Sequence, residues 1–219
     1  MKYLRWIIIG GLIIAIGLFI ARRFYEQALL EKIIGRLQAE SRAAEVLVTG
    51  VNYNEEFGTN FTTIKFLEYD VDGSPLPPKY FTFPGNVIQF QSLVVRFDDK
   101  FVMNGDRLKG KSAYLFWKAF MLNGKDTKEF PISYVEEIPG GYKVKGKHNG
   151  FEERFWKEFW KYAFDRRAAE HAGVKSVQIE APGAVFIPGH LYTIRIEHDG
   201  GLRIETKPLP AIVRGEQVL

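Results

Sequence analysis

The sequence predicts an α+β protein: one N-terminal transmembrane helix and a helical stalk, then a mostly antiparallel β domain with two helices. Three observations predict it. An uncharged apolar run opens the chain, and a proline-free stretch of helix formers follows it. From about residue 45 the hydrophobic period falls to two, with glycine-rich turns between the runs. The expected units are an anchor with basic flanks at 1–23, a stalk at 24–44, an α+β domain at 45–207 and a tail at 208–219.

The anchor is Trp6 to Ala21, WIIIGGLIIAIGLFIA, sixteen residues without a charge. At about 1.5 Å per residue it reaches roughly 24 Å, short of a ~30 Å hydrocarbon core. Tyr3, Trp6, Phe24 and Tyr25 bracket it as interfacial aromatics, and the flanking arginines can snorkel outward. A cleaved signal peptide is the rival reading. Its small-x-small site is missing, since Ala15-Ile16-Gly17 lies inside the apolar run and Arg22-Arg23 follows directly. Gly11 and Ala15 form a small-xxx-small pair, the candidate face for packing against another transmembrane helix.

Charge supports the same reading. Of the net +4, all of it sits in residues 1–23, on Lys2, Arg5, Arg22 and Arg23. The other 196 residues hold 26 basic and 26 acidic side chains. A balanced body argues against nucleic acid, which needs a basic face on the folded domain. Lys2, Arg5 and the α-amine on one side of the run nearly balance Arg22, Arg23, Lys32 and Arg36 on the other, a count that slightly favours a cytoplasmic body. Against that, the short basic N-terminus resembles an export anchor, so the body is expected outside the cytoplasm, periplasmic or at the cell surface. The absence of Cys excludes disulfide scaffolds, Cys-ligated zinc and thiol catalysis.

In the stalk, Leu30, Ile33, Leu37, Ala44 and Leu47 follow a seven-residue pattern, but Glu26 and Glu40 share the seam. About two apolar heptads are too few for a coiled coil, and an amphipathic helix to about Ala44 is expected. Strands are expected at Glu45–Asn54, Asn60–Asp70, Tyr80–Phe83, Asn86–Phe97 and Val174–Glu180. Two further hairpins are expected. One joins Ile132–Ile138 to Tyr142–Lys147 through Pro139-Gly140-Gly141. The other joins Leu191–Glu197 to Leu202–Thr206 through Asp199-Gly200-Gly201. Ser112–Leu122, apolar nearly all round, is expected as a buried helix, and Phe151–His171 as a second one stopped by Gly173.

Four patterns invite chemistry. Gly105 to Ser112 (GDRLKGKS) satisfies the phosphate-loop spacing, with Lys111 for the β/γ-phosphates and Ser112 for Mg²⁺. It lacks the preceding parallel strand and the later metal-positioning carboxylate, so a polar turn capping the next helix is the plainer reading. Phe151–Phe164 has seven aromatics in fourteen residues, and Phe151, Phe155, Trp156, Phe159, Trp160 and Tyr162, with Ala163, share one half of a helical wheel. They suit a core layer on a sheet, and Phe155, Trp156, Phe159 and Trp160 are the candidate partner or membrane interface. His148, His171, His190 and His198 are scattered without ligand spacing, although His171 can meet the last carbonyls of its helix. Glu55-Glu56, Asp98-Asp99, Glu136-Glu137 and Glu152-Glu153 are sequence neighbours, which a strand would turn to opposite faces.

No catalytic residue, cofactor or metal ligand emerges from these patterns. The expected function is a non-catalytic accessory or scaffold subunit of a membrane complex. Its partners would be the bilayer through residues 6–21, other subunits, and a second copy of itself. The alternatives are a membrane-tethered envelope enzyme with a dispersed site, and nucleotide binding at Gly105–Ser112.

Overall fold

The computed structural model describes residues 10–22, 24, 42–70, 73–97, 112–123, 126–143, 150–171, 174–196 and 201–210. Among these residues ten strands carry the body: β1 (Arg42–Asn54), β2 (Thr59–Glu68), β3 (Lys79–Pro84), β4 (Val87–Phe97), β5 (Ser112–Asn123), β6 (Asp126–Pro131), β7 (Val174–Glu180), β8 (Gly183–Val185), β9 (His190–Ile196) and β10 (Leu202–Pro208). The helices are α1 (residues 10–22), α2 (Gly150–Phe164) and α3 (Arg166–His171). The fold is therefore α+β with mostly antiparallel sheet, as expected.

The strands form two sheets. One runs β10-β9-β1-β2-β3; the other runs β6-β5-β4-β7, with β8 beside β4 beyond the end of β7. Every ladder between these strands is antiparallel. Alternation explains the first sheet: Thr62, Ile64, Phe66 and Glu68 point inward while Thr63, Lys65 and Leu67 do not. Phe66 stacks on Phe90 of β4 at 5.2 Å and meets Phe116 of β5 edge-on at 5.5 Å, so the two sheets face each other across aromatic rings. Each such ring contributes about 1.5–3 kcal/mol on burial.

The second sheet is covered on both sides. Leu93 and Val94 of β4 are both buried, as are Leu115 and Phe116 of β5. Consecutive strand residues face opposite ways, so one of each pair looks away from the first sheet. On that side α2 and α3 lie against β7, and Trp117 of β5 meets Phe164 at 5.4 Å. Side chains close the sandwich at both edges. Phe81 of β3 touches Phe130 of β6 at 5.3 Å, and across the other opening Glu180 accepts from the Leu202 N–H at 2.8 Å.

Several expectations are corrected. Ser112–Leu122 is strand β5, not a helix. A central strand covered on both faces is apolar all round, a pattern that a buried helix shares. Residues Arg42–Ala44 belong to β1, so the stalk helix does not reach Ala44; Ala43 and Ala44 are buried in the first sheet. The stalk at 25–41 lies outside the described residues. The Ile132–Ile138 segment forms turns instead of a hairpin, and Gly140–Tyr142 is a single 3-10 turn. That turn drives the Tyr142 ring into the core, 4.6 Å from Trp156. The second helix breaks at Asp165, whose carboxylate accepts the Ala168 N–H at 3.1 Å and starts α3 as an N-cap. Pro208 still pairs with His190, and the Leu209 N–H bonds to the Gly189 carbonyl, so the tail begins later than 208.

Candidate functional site

Three features of the molecule offer chemistry or contact. The first is α1. Its large side chains Leu12, Ile13, Ile14, Ile16, Leu18, Phe19 and Ile20 are 47–68% exposed, and none belongs to the core among the described residues. A Cβ added at Gly11 would meet nothing within 4 Å, and Ala15 is exposed beside it. Among the described residues no helix is long and apolar enough to cross a membrane. The expected span's first residues, 6–9, lie outside them.

The second is α2 and the turn it rests on. Trp156, Phe159 and Trp160 are 0%, 2% and 1% exposed, and all three are core residues. The Trp160 indole N–H donates to the Glu137 carbonyl at 3.0 Å, which ties the helix to the 132–138 segment. These three rings therefore fill the layer between helix and sheet. Phe155 lies in α2, where its side chain is outside the description. What α2 does present is a shallow groove of about 480 Å³. Its floor is Trp160 with Phe164 and Val135, and Glu136, Lys157, Lys161 and Asp165 form its rim. Glu136 holds a φ of 67°, a left-handed conformation uncommon outside glycine, and faces Lys157 at 3.8 Å. On the same helix burial pushes the Tyr162 phenol up, and Glu158 at 3.2 Å adds to the shift by charge and hydrogen bond.

The third is a cavity of about 380 Å³ at the end of the sandwich where β1 begins. The end of β2 supplies Phe66, Glu68 and Asp70, and the loop into β3 supplies Leu76, Pro77 and Lys79. Ile132, Gly140 and Lys143 close it from the segment after β6. The loop is held in place locally: Asp70 accepts the Ser74 N–H on its carboxylate at 2.8 Å, and the Leu76 N–H bonds to the Glu68 carbonyl at 2.8 Å. Beside it the Tyr69 hydroxyl donates to Glu45 at 2.5 Å. The 3-10 turn approaches closely: a Cβ at Gly141 would stand 2.6 Å from a Glu68 carboxylate oxygen and 3.2 Å from the Tyr69 carbonyl, so the Glu68 side chain would have to shift. Lys79 donates to the Ile132 carbonyl. Burial pushes its ammonium below the ordinary lysine range; the Glu68 charge pulls it back up, and Lys143 pushes it further down.

The segment from Ile132 to Lys143 is thus a shared wall, with the cavity on one side and the α2 groove on the other. None of the cavity's charged residues stood out in the sequence. Glu68 and Lys143 lie far apart along the chain and meet only through the sandwich end. The one signal was the loop punctuation around Pro75, Pro77 and Pro78, which marks a built turn.

The remaining sequence candidates separate. Ser112 opens strand β5, so no helix follows the Gly105–Ser112 pattern, and the anion-binding helix N-terminus that a phosphate loop needs is missing there. Residues 105–111 lie outside the described residues. His171 Nδ1 lies 2.8 Å from the Arg167 carbonyl, and His190 Nδ1 lies 3.2 Å from the Pro188 carbonyl. His148 and His198 lie outside the description. Among the described residues no group of three or more His, Cys, Asp or Glu is placed to hold a metal ion. Comparison with protein-family models, with curated proteins and with solved structures returned no match.

Proposed function

We propose that the chain is a single-pass membrane protein whose α+β body stands outside the cytoplasm as a non-catalytic accessory or scaffold subunit of a membrane complex. The observation that carries the reading is the exposure of α1. Leu12, Ile13, Ile14, Ile16, Leu18 and Ile20 stand 47–68% exposed on all sides of one helix and lie outside the core cluster of the described residues. Such a helix needs an apolar medium, and the uncharged run with basic residues at both ends matches a bilayer with its two headgroup layers. Gly11 and Ala15, with open space around them, suit close approach by a second helix, from another subunit or a second copy.

Docking by the body is supported at the end of the sandwich opposite Arg42. There Val51, Tyr53, Phe57, Val87, Val185 and Ile187 are exposed, with the Phe57 and Phe61 rings in contact at 5.6 Å. Exposed apolar clusters of this kind are characteristic of protein contacts. The α2 groove offers a second, charged-rim surface.

The test is a pair of C-terminal reporters on the full chain, one active only outside the cytoplasm and one only inside. The expected result is membrane-bound, exterior activity. A soluble fusion, or an interior signal, would contradict the anchor or the orientation respectively.

A further inference from the structure

The cavity at the Arg42 end of the sandwich has a chemical character of its own, independent of membrane anchoring. One side is apolar, made by Phe66, Leu76, Pro77 and Ile132. On the other, two carboxylates and two ammonium groups converge, and they are not equivalent. Asp70 is 4% exposed and spends one carboxylate oxygen on the Ser74 N–H. Glu68 is 9% exposed and pressed against the Gly140–Tyr142 turn. Lys79 keeps donors beyond the one given to the Ile132 carbonyl, and Lys143 stands exposed at the rim. All four line the cavity, but only the lysines can donate to a ligand, and the volume falls in the range of small-ligand sites.

We propose that this cavity binds a small amphiphilic anion, its charged head between Lys79 and Lys143 and its apolar body on Phe66, Leu76, Pro77 and Ile132. Such an anion supplies acceptors to the remaining lysine N–H groups, and charge-assisted bonds of this kind are the strong ones. It also relieves the cost of burying the Lys79 ammonium, whose pKa burial has already lowered. The groups facing Lys79 from the other elements are Glu68 and Asp70 at the end of β2 and Lys143 after the 3-10 turn. The carboxylates oppose the incoming charge and limit affinity.

The test titrates the full chain, held in nanodiscs of neutral lipid, with octanoate and with uncharged octanamide, against empty nanodiscs. Octanoate is expected to bind saturably and about tenfold more tightly than octanamide, the worth of one charge-assisted bond. Lys143→Met, at an exposed position, weakens octanoate severalfold; Lys79→Met weakens it by about tenfold or more on the same ground. Glu68→Gln removes the opposing charge and tightens it. A membrane source is distinguished from a free one by doping the discs with anionic lipid. Displacement of octanoate assigns the head to lipid, and unchanged octanoate affinity assigns it to a free amphiphile. Absence of saturable octanoate binding, equal affinity for octanamide, or weakening by Glu68→Gln would overturn the proposal.

Discussion

Helices α1 and α2 are both rich in large apolar side chains, yet the molecule treats them oppositely. In α2 the rings of Trp156, Phe159 and Trp160 are buried, Tyr142 meets Trp156 and Trp117 of the second sheet meets Phe164, while Lys157, Glu158 and Lys161 line the solvent side. In α1 the Leu12–Ile20 stretch has no polar side, and Leu12, Ile13, Ile14, Ile16, Leu18 and Ile20 are exposed. An amphipathic stripe needs one packed face; an all-round apolar surface needs apolar surroundings on every side.

The largest effect separates the two helices by location. Ile13→Lys combined with Ile16→Lys should cost about 5–7 kcal/mol of bilayer insertion, at about 2.5–3.5 for each central lysine. The protein should then be lost from membranes washed at alkaline pH, while the thermal unfolding of the body stays unchanged. Trp156→Ala does the reverse. It should leave membrane retention intact and destabilise the body by about 3–5 kcal/mol in a denaturant titration, because the cavity opens between α2 and Tyr142. Retention lost with Trp156→Ala but kept with the double lysine variant would break the comparison.

A pair of glycine substitutions sharpens it at smaller scale. Gly141→Ala places a methyl 2.6 Å from Glu68 and 3.2 Å from the Tyr69 carbonyl, and should cost about 1–3 kcal/mol of body stability. Gly11→Ala meets nothing within 4 Å and should leave body stability unchanged in the same assay. The smallest effect lies on the far edge of the first sheet. Arg195 and Arg203 sit directly opposite each other, and Glu205 bonds to both at 3.0 and 2.7 Å. Partial burial alone would raise the Glu205 carboxyl, but the Arg195 hydrogen bond and the charges of Arg195, Arg203 and Lys207 hold it below the ordinary range. Its contribution is present above the unfolded carboxyl range and is lost as pH falls through the lowered folded value. Glu205→Gln should therefore lower stability slightly near neutrality, flatten the acid side of the stability curve, and leave stability unchanged at low pH, where Glu205 is already protonated.

Much of the sheet was legible because half-buried strands alternate: β1, β2, β7 and the β9–β10 hairpin fall where period-two runs and glycine turns place them. Strand β5 was not, because two covered faces erase alternation, and the Tyr, Phe and Trp it carries were outweighed by Ala, Leu and Met. The break at Asp165 was hidden in the same way, since a single Asp is tolerated within a helix and becomes a cap only where α3 turns along β7. The wheel of α2 put Trp156, Phe159 and Trp160 on one side, and they are buried, but a wheel cannot say whether a stripe meets its own sheet or a partner. The cavity was illegible for a different reason: Glu68, Asp70, Lys79 and Lys143 are brought together by the packing of two loops at the sandwich end, with no local spacing to mark them.

The most direct test of the anchor uses the natural absence of cysteine. Ile14→Cys and Leu18→Cys in α1, and Tyr53→Cys in β1, each create a single thiol to react with a membrane-impermeant maleimide in intact cells. Inside hydrocarbon no thiolate forms to react. The account predicts that Tyr53→Cys is labelled from outside, while Ile14→Cys and Leu18→Cys stay unlabelled until the membrane is dissolved and the protein denatured. Labelling of Ile14→Cys in intact membranes at the rate of Tyr53→Cys would contradict it.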